Sequence, residues 1–412
     1  VAAATGRGGR RLTKPTAAAL LLLILSLAAF AALCLLRPMP MADLLVYRAE
    51  GSAVVEGTDL YGFVVTEWEL PATYPPFAAV LFVPAALLPL LPLKAAVVAG
   101  NALLLGLLVH LSLRLAGRPS RPAVVLAATG AGLWLEPVFQ TALFGQINLA
   151  LACLVLWDLT RPDGARGKGI ATGIAAGIKL TPAIFIVHLL LTGRVRAGLY
   201  GLAGFAGTVL AGVAALPGPS LEFWTRRIFQ TGRVGKAWIV DNQSLQGMFA
   251  RLLHTTEPGI VWQAAALVTA AAGLLLARRA VRVHGLEAWG LMCTALTALL
   301  VSPISWSHHW VWCVPLLALI AAGPGPRWAA AMAVVFTARS MWLLPHDGYL
   351  DLRLPWWQQP AASPYPLLAL GFLAYVAWRV RGGPPGGSGP GLPGPRYASS
   401  PAAESSDAST IR

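Results

Sequence analysis

The chain has 412 residues, of which 57% are hydrophobic and only 12% charged, with a mean hydropathy of +0.66. That composition excludes a soluble domain and describes an all-α polytopic membrane protein. The net charge of +14 (31 basic against 17 acidic residues) is large, but the basic residues fall in short clusters between apolar spans, so it marks membrane topology and no nucleic-acid partner is expected.

Arg7, Arg10, Arg11 and Lys14 precede the first apolar run, Ala17 to Leu36, which is long enough to cross a bilayer and lacks a cleavage site. Residues 1–15 are therefore read as a basic cytoplasmic N-terminus ahead of a retained helix. Asp43, Glu50, Glu56, Asp59, Glu67 and Glu69 gather in the loop that follows, which is placed outside. Basic clusters at 114–121, 161–168, 194–196, 278–282, 327 and 379–381 mark cytoplasmic connections.

Threading apolar runs between these markers predicts spans near 17–36, 95–114, 123–138, 145–160, 197–216, 258–277, 287–303, 309–323, 328–344 and 365–380. The segment 169–193 has basic flanks and is broken by Lys179 and Thr181-Pro182, so it is read as two short helices meeting near Lys179. Residues 76–92 are read as a re-entrant or interfacial helix, which brings the total to about twelve spans. Residues 16–381 thus form one transmembrane domain, and 382–412, rich in Gly, Pro, Ser and Ala, a disordered cytoplasmic tail. The four cysteines lie in or beside apolar spans without ligand spacing and behave as small hydrophobes. Richness in Ala, Gly, Pro and Arg suggests a GC-rich bacterium, hence a plasma membrane. A monomer is expected.

The polar residues that carry chemistry collect on the outer face. In Met41-Ala-Asp-Leu-Leu-Val-Tyr-Arg48, Asp43 and Arg48 sit just past the first span, where a charge is costly unless paired, wetted or used. Asp43 is the first candidate for a general base, and Asp59 in Gly57-Thr-Asp-Leu-Tyr61 is the second. Tyr74 follows in Thr73-Tyr-Pro-Pro-Phe77, then Gln146 and Asn148 in Phe144-Gly-Gln-Ile-Asn148, amides able to donate and accept as sugar hydroxyls require. The loop 223–251 holds Arg226, Arg227, Arg233 and Lys236, against the positive-inside trend and suited to phosphate, together with Asn242 and Gln243. Trp306, His308 and His309 belong to Ser302-Pro-Ile-Ser-Trp-Ser-His-His-Trp310, while His110, His188 and His346 are read as isolated structural residues. No spacing of His and carboxylates matches a metal-ligand template.

Taken in order, Asp43-x-x-Val-Tyr47, Tyr74-Pro-Pro76, Gly145-Gln-x-Asn148, Lys179-Leu-Thr-Pro182 and Ser302-Pro-x-Ser-Trp-x-His-His309 resemble the polyprenol-phosphate-mannose-dependent glycosyltransferases of the membrane GT-C class, family 87. The resemblance runs over roughly residues 17–381. It implies a GT-C-type fold with extracytoplasmic catalytic loops, and a metal-independent, inverting mannosyl transfer from a β-linked polyprenol phosphate to a lipid-linked mannoside, forming an α-(1→2) linkage. No cofactor is implied beyond the donor substrate. Asp43 would be the base, His309 or His308 a catalytic partner, with His309 preferred, and Lys179 with the 226–236 cations would meet phosphate or sugar. An arabinofuranosyltransferase of the same class is an alternative. A lipid-linked sugar transporter is another, but it calls for polar residues through the midplane and access from both sides, whereas these gather at one face.

Overall fold

The computed structural model describes residues 13–36 and 39–382, so the expectations for the N-terminus and the tail fall almost wholly outside the described residues. In chain order the helices are α1 (Lys14–Leu36), α2 (Ala42–Glu56), α3 (Pro76–Leu87), α4 (Leu90–Leu115), α5 (Pro122–Gly132), α6 (Glu136–Phe144), α7 (Asn148–Leu159), α8 (Ile170–Ile178) and α9 (Ala183–Leu191). They continue with α10 (Val195–Ala215), α11 (Pro217–Thr225), α12 (Leu245–Leu252), α13 (Gly259–His284), α14 (Glu287–Val301), α15 (Cys313–Ala322), α16 (Pro326–Ala338), α17 (Gln359–Ala362) and α18 (Pro364–Arg379). A two-stranded antiparallel hairpin, β1 (Val64–Val65) and β2 (Leu70–Pro71), pairs Val64 with Pro71 and Val65 with Leu70.

Among the described residues four helices, α1, α4, α10 and α13, are long and apolar enough to cross a membrane, and the bent pair α5–α6 makes a fifth if counted as one span. The remaining expected spans are shorter pieces, which is where the structure departs from a row of about twelve uniform crossings. The predicted 123–138 span is interrupted: α5 stops at Gly132 and α6, with Pro137 in its first turn, leaves at 73°. A proline there lacks the N–H that continuing α5 would require.

Three local features position the site. The segment after the first span, expected as loop, contains the 15-residue helix α2. It places Asp43, Tyr47 and Glu50 at i, i+4 and i+7 on one face, and packs on α3, where a Cβ at Gly51 would meet the Phe82 carbonyl. The predicted break at Lys179 is present: its backbone is extended (φ −143°, ψ 129°) between α8 and α9, which throws its side chain out of the helical path. The pair α8–α10 closes through small residues, since a Cβ on Gly173 or Gly177 would run into Gly201 or Thr208. At the centre, every residue of α14 from Ala288 to Leu300 is buried, and α4, α7, α15 and α18 contribute to the apolar core around it. A helix buried all round in this way has no polar face, and its buried stretch carries no charge and only Thr294 and Thr297 as polar side chains.

Candidate active site

One cavity of about 930 Å³ gathers the chemistry. Asp43 enters it from the N-terminus of α2, Tyr74 from the segment after β2, Gln146 from the α6–α7 junction and Lys179 from the α8–α9 break. Arg227, Arg233 and Lys236 come from the loop after α11, and Trp306, His308 and His309 from the turn ahead of α15. These residues are separated by more than 260 positions in sequence, from 43 to 309, and the fold brings them to one chamber.

Asp43 is half-buried and stands in the first turn of α2, where the helix dipole favours a negative charge. Burial pushes its carboxyl from the ordinary 3.8 up to about 6, an effect opposed by the charge of Lys179 and by a hydrogen bond from the Gln146 side chain, and reinforced by Asp241. Gln146 is itself fixed: its Oε1 accepts from the Tyr47 hydroxyl at 2.8 Å and from the Tyr74 hydroxyl at 3.3 Å, which leaves its amide N–H groups for the carboxylate. The turn that presents it needs Gly145, whose φ of +71° is in the left-handed region and whose missing Cβ would collide with Leu44.

Across the cavity Lys179 Nζ lies 3.1 Å from Asn148 Oδ1 and 3.1 Å from His309 Nε2. An ammonium only donates, so His309 accepts at Nε2 and carries its proton on Nδ1. Asn148 donates through Nδ2 to the His308 carbonyl at 2.9 Å, and Thr141 Oγ1 donates to the same oxygen at 3.0 Å, so the amide motif anchors the histidine turn. Asn148 lines a small side chamber of about 50 Å³ shared with Lys179 and His309. The two histidines are thereby given different surroundings. His309 is tied to Lys179, whereas His308, buried at the cavity wall, has no hydrogen-bond partner on either ring nitrogen.

The cationic loop divides. Arg227 is paired with Glu222 at 2.6 Å, Arg233 donates to the Tyr61 carbonyl at 3.0 Å, and Lys236 is exposed at the rim. Arg226 is exposed and does not line the cavity. Asn242 and Gln243 are fully buried and serve backbone: Asn242 Nδ2 donates to the Ala237 and Pro303 carbonyls at 2.8 and 3.0 Å, and Gln243 Nε2 to those of Val240 and Ala362 at 2.6 and 2.8 Å. They fasten this loop to the turn carrying the histidines and leave no amide for a sugar. Arg48 and Asp59 line a separate open pocket of about 620 Å³, and Asp59 is occupied in an Asx turn, accepting from the Tyr61 N–H at 2.9 Å. The structure therefore separates the second candidate base from the cavity that holds the histidines and Lys179.

With that geometry in view, comparison with known proteins is decisive about kinship. The profile of Glycosyltransferase family 87 matches residues 72–303, more than half of the chain. The chain belongs to glycosyltransferase family 87. It is similar to the polyprenol-phosphate-mannose-dependent alpha-(1-2)-phosphatidylinositol mannoside mannosyltransferase of Mycobacterium tuberculosis (strain ATCC 25618 / H37Rv), 34% identical over 364 residues, 82% of this chain and 84% of the relative. The corresponding phosphatidylinositol pentamannoside mannosyltransferase of M. tuberculosis (strain CDC 1551 / Oshkosh) is 34% identical over 396 residues, 90% and 91% of the two chains. A phosphatidylinositol mannoside mannosyltransferase of Mycolicibacterium smegmatis is 34% identical over 355 residues, 78% and 80%. No solved structure matches. Family membership sets the chain among transferases rather than transporters.

In this family 87 chain the sequence reading gave no site role to several residues that line the cavity or stand behind its wall. Tyr47 shares a helix face with Asp43, which is visible only once 42–56 is known to be helical. Asp241 lines the cavity and accepts from the Ser307 N–H at 3.0 Å. Trp342, His346 and Asp347 form part of the wall, so His346 is not the isolated residue its spacing suggested. The signal for these was the change from apolar to mixed polar and aromatic sequence after α16. Among the described residues no group of three or more His, Cys, Asp or Glu side chains is placed to hold a metal ion.

Proposed function

We propose that this enzyme transfers mannose, with inversion, from polyprenol-phosphate-mannose to a hydroxyl of a lipid-linked mannoside such as a phosphatidylinositol mannoside, forming an α-(1→2) linkage. The observation that carries the reading is a single chamber in which a half-buried carboxylate on the first turn of α2, Asp43, shares space with Lys179, Arg227, Arg233 and Lys236, with Glu67, Glu69, Asp241 and Asp347 elsewhere on its wall. The names of relatives matched over four-fifths or more of this chain support the donor and acceptor classes. The enzyme acts as a monomer at the bacterial plasma membrane, with the cavity open to the extracytoplasmic side, where a lipid-borne donor can reach it.

The acceptor hydroxyl attacks the anomeric carbon from the face opposite the phosphate. As the new C–O bond forms and the bond to the phosphate oxygen breaks, the hydroxyl proton passes to Asp43 and the polyprenyl phosphate departs. A carboxyl held near pH 6 is mostly ionised at neutral pH and a stronger base than an ordinary carboxylate. Lys179, locked between Asn148 and His309, offers a fixed positive charge to the leaving phosphate, with Arg227, Arg233 and Lys236 around it. The unpartnered nitrogens of His308 are available to a phosphate oxygen or a sugar hydroxyl.

Asp43→Asn tests this directly. The amide keeps the shape and cannot take the proton, so transfer should fall by about two to four orders of magnitude with the protein folded and donor binding retained. Near-parental turnover in purified Asp43→Asn rules the residue out as base.

A further inference from the structure

Trp342, His346, Asp347 and Gly348 form one stretch of the cavity wall, with an aromatic ring and a carboxylate on it. Trp342 is half-buried, and its indole N–H donates to Glu136 Oε1 at 3.0 Å. Glu136, fully buried, also accepts from the Tyr365 hydroxyl at 2.7 Å, so the indole is fastened from behind by a carboxylate that is itself held. His346 stands edge-on to the indole, with ring centroids 5.8 Å apart at 84°, and Asp347 follows it, exposed, on the same wall. The turn that carries Trp342 is pinned by Ser340 Oγ, which donates to the Ala361 carbonyl at 3.0 Å.

The cations of the cavity, Lys179, Arg227, Arg233 and Lys236, come from the α8–α9 break and the loop after α11, whereas the 342–348 wall supplies no Lys or Arg but an aromatic plane, an imidazole and a carboxylate side by side; Glu67, Trp68, Glu69, Asp241 and Trp306 line the cavity elsewhere. A rigid aromatic surface beside a carboxylate repels a phosphate and suits a neutral sugar, whose C–H face packs on the ring while its hydroxyls donate to the carboxylate oxygens. We infer that the Trp342–Asp347 stretch is the subsite for the sugar of the acceptor, Trp342 stacking on the receiving mannose and Asp347 accepting from its hydroxyls. The inference rests on the mannosyl-transfer reading and assigns the acceptor half of that site. It makes Trp342 and Asp347 specificity residues, not groups of the proton-transfer chemistry.

The test uses the purified full chain with polyprenyl-phosphate-mannose as donor and octyl α-mannopyranoside as acceptor probe. Asp347→Asn and Trp342→Leu should each raise the acceptor KM by about tenfold or more, with kcat within about twofold and the donor KM unchanged. Because Trp342→Leu also strips Glu136 of a partner, Asp347→Asn on the exposed loop is the deciding variant, read alongside its melting temperature. If parental protein transfers mannose and Asp347→Asn keeps its acceptor KM, or loses donor affinity as well, the subsite assignment falls while the transferase reading stands. Binding of octyl α-mannopyranoside by saturation-transfer NMR separates the opposite case. Parental protein that transfers no mannose yet binds the probe, with binding lost in Asp347→Asn, supports the subsite and overturns the donor assignment; binding unaltered by Asp347→Asn overturns the subsite.

Discussion

At Asp43, the proposed base, burial of the carboxyl gives the expected pH dependence a defined sign. A base must be unprotonated, so transfer should be lost as pH falls through about 6 and should level off above it. Gln146 lowers that value by hydrogen-bonding the carboxylate, and replacing it with Leu removes the bond. The acid limb of the pH–rate profile should then move to higher pH in Gln146→Leu, and a limb that stays in place removes Gln146 from the base's support. Asp43, Lys179 and the His308–His309 pair were legible because a charged or imidazole side chain at the edge of an apolar run demands an explanation. Asn242 and Gln243 were misleading for a physical reason: an amide that satisfies backbone carbonyls has the same sequence appearance as one that binds sugar. Asp59 stayed a second candidate behind Asp43 because spacing does not say which way a turn carries its side chain.

At the scale of elements, α2 is the piece the sequence concealed. Its glycine, serine and charges gave no apolar periodicity, yet the helix buries Leu44, Val46, Tyr47, Glu50 and Ala53. Glu50 is the consequence: 1% exposed, with neither carboxyl oxygen within hydrogen-bonding geometry of a partner, it is pushed by burial from 4.5 up to about 8, and the nearby backbone N–H groups of Thr73 and Tyr74 only partly offset this. With a folded value above the unfolded one, its contribution to stability is complete below about 4.5 and is lost as pH rises through about 8. The apparent Tm of detergent-solubilised protein should accordingly fall between about pH 4.5 and about pH 8 and level off above that, and Glu50→Gln, a permanent mimic of the neutral acid, should flatten the fall. Superimposable pH–Tm curves for parent and variant contradict this account. The α8–α9 break, by contrast, was readable from Lys179 and Thr181-Pro182, because a proline and an ammonium inside an apolar run leave few helical alternatives. The α5–α6 bend was not, since Pro137 lay near the end of a run that otherwise read as one span.

Over the whole molecule, charge is sorted by function. Away from the cavity, Asp158 at the far end of α7 accepts from the Gly169 N–H at 2.9 Å and from Thr172 N–H and Oγ1 at 3.0 and 2.9 Å, and Asp163 joins Lys168 and Arg194 at 2.7 and 2.8 Å. Those cations are neutralised by partners and hold loops together. In the cavity, Lys179 has neutral hydrogen-bond partners, Asn148 and His309, and Lys236 is exposed, so neither ammonium is tied up in a direct ion pair, although the carboxyls of Asp43, Glu67, Glu69, Asp241 and Asp347 share the lining. Stabilisation of a departing phosphate by preorganised donors commonly accounts for about 3 to 4 kcal/mol of barrier per donor. Fixed cations can therefore take the part that a divalent ion plays in nucleotide-sugar enzymes. Two results are expected together. Transfer by the purified enzyme should survive EDTA, and Lys179→Met, which keeps the length and removes the charge, should slow turnover by about two to three orders of magnitude. Activity lost in EDTA and restored by Mg²⁺ or Mn²⁺, or a Lys179→Met enzyme at the parental rate, would show that the phosphate's charge is met by something other than these side chains.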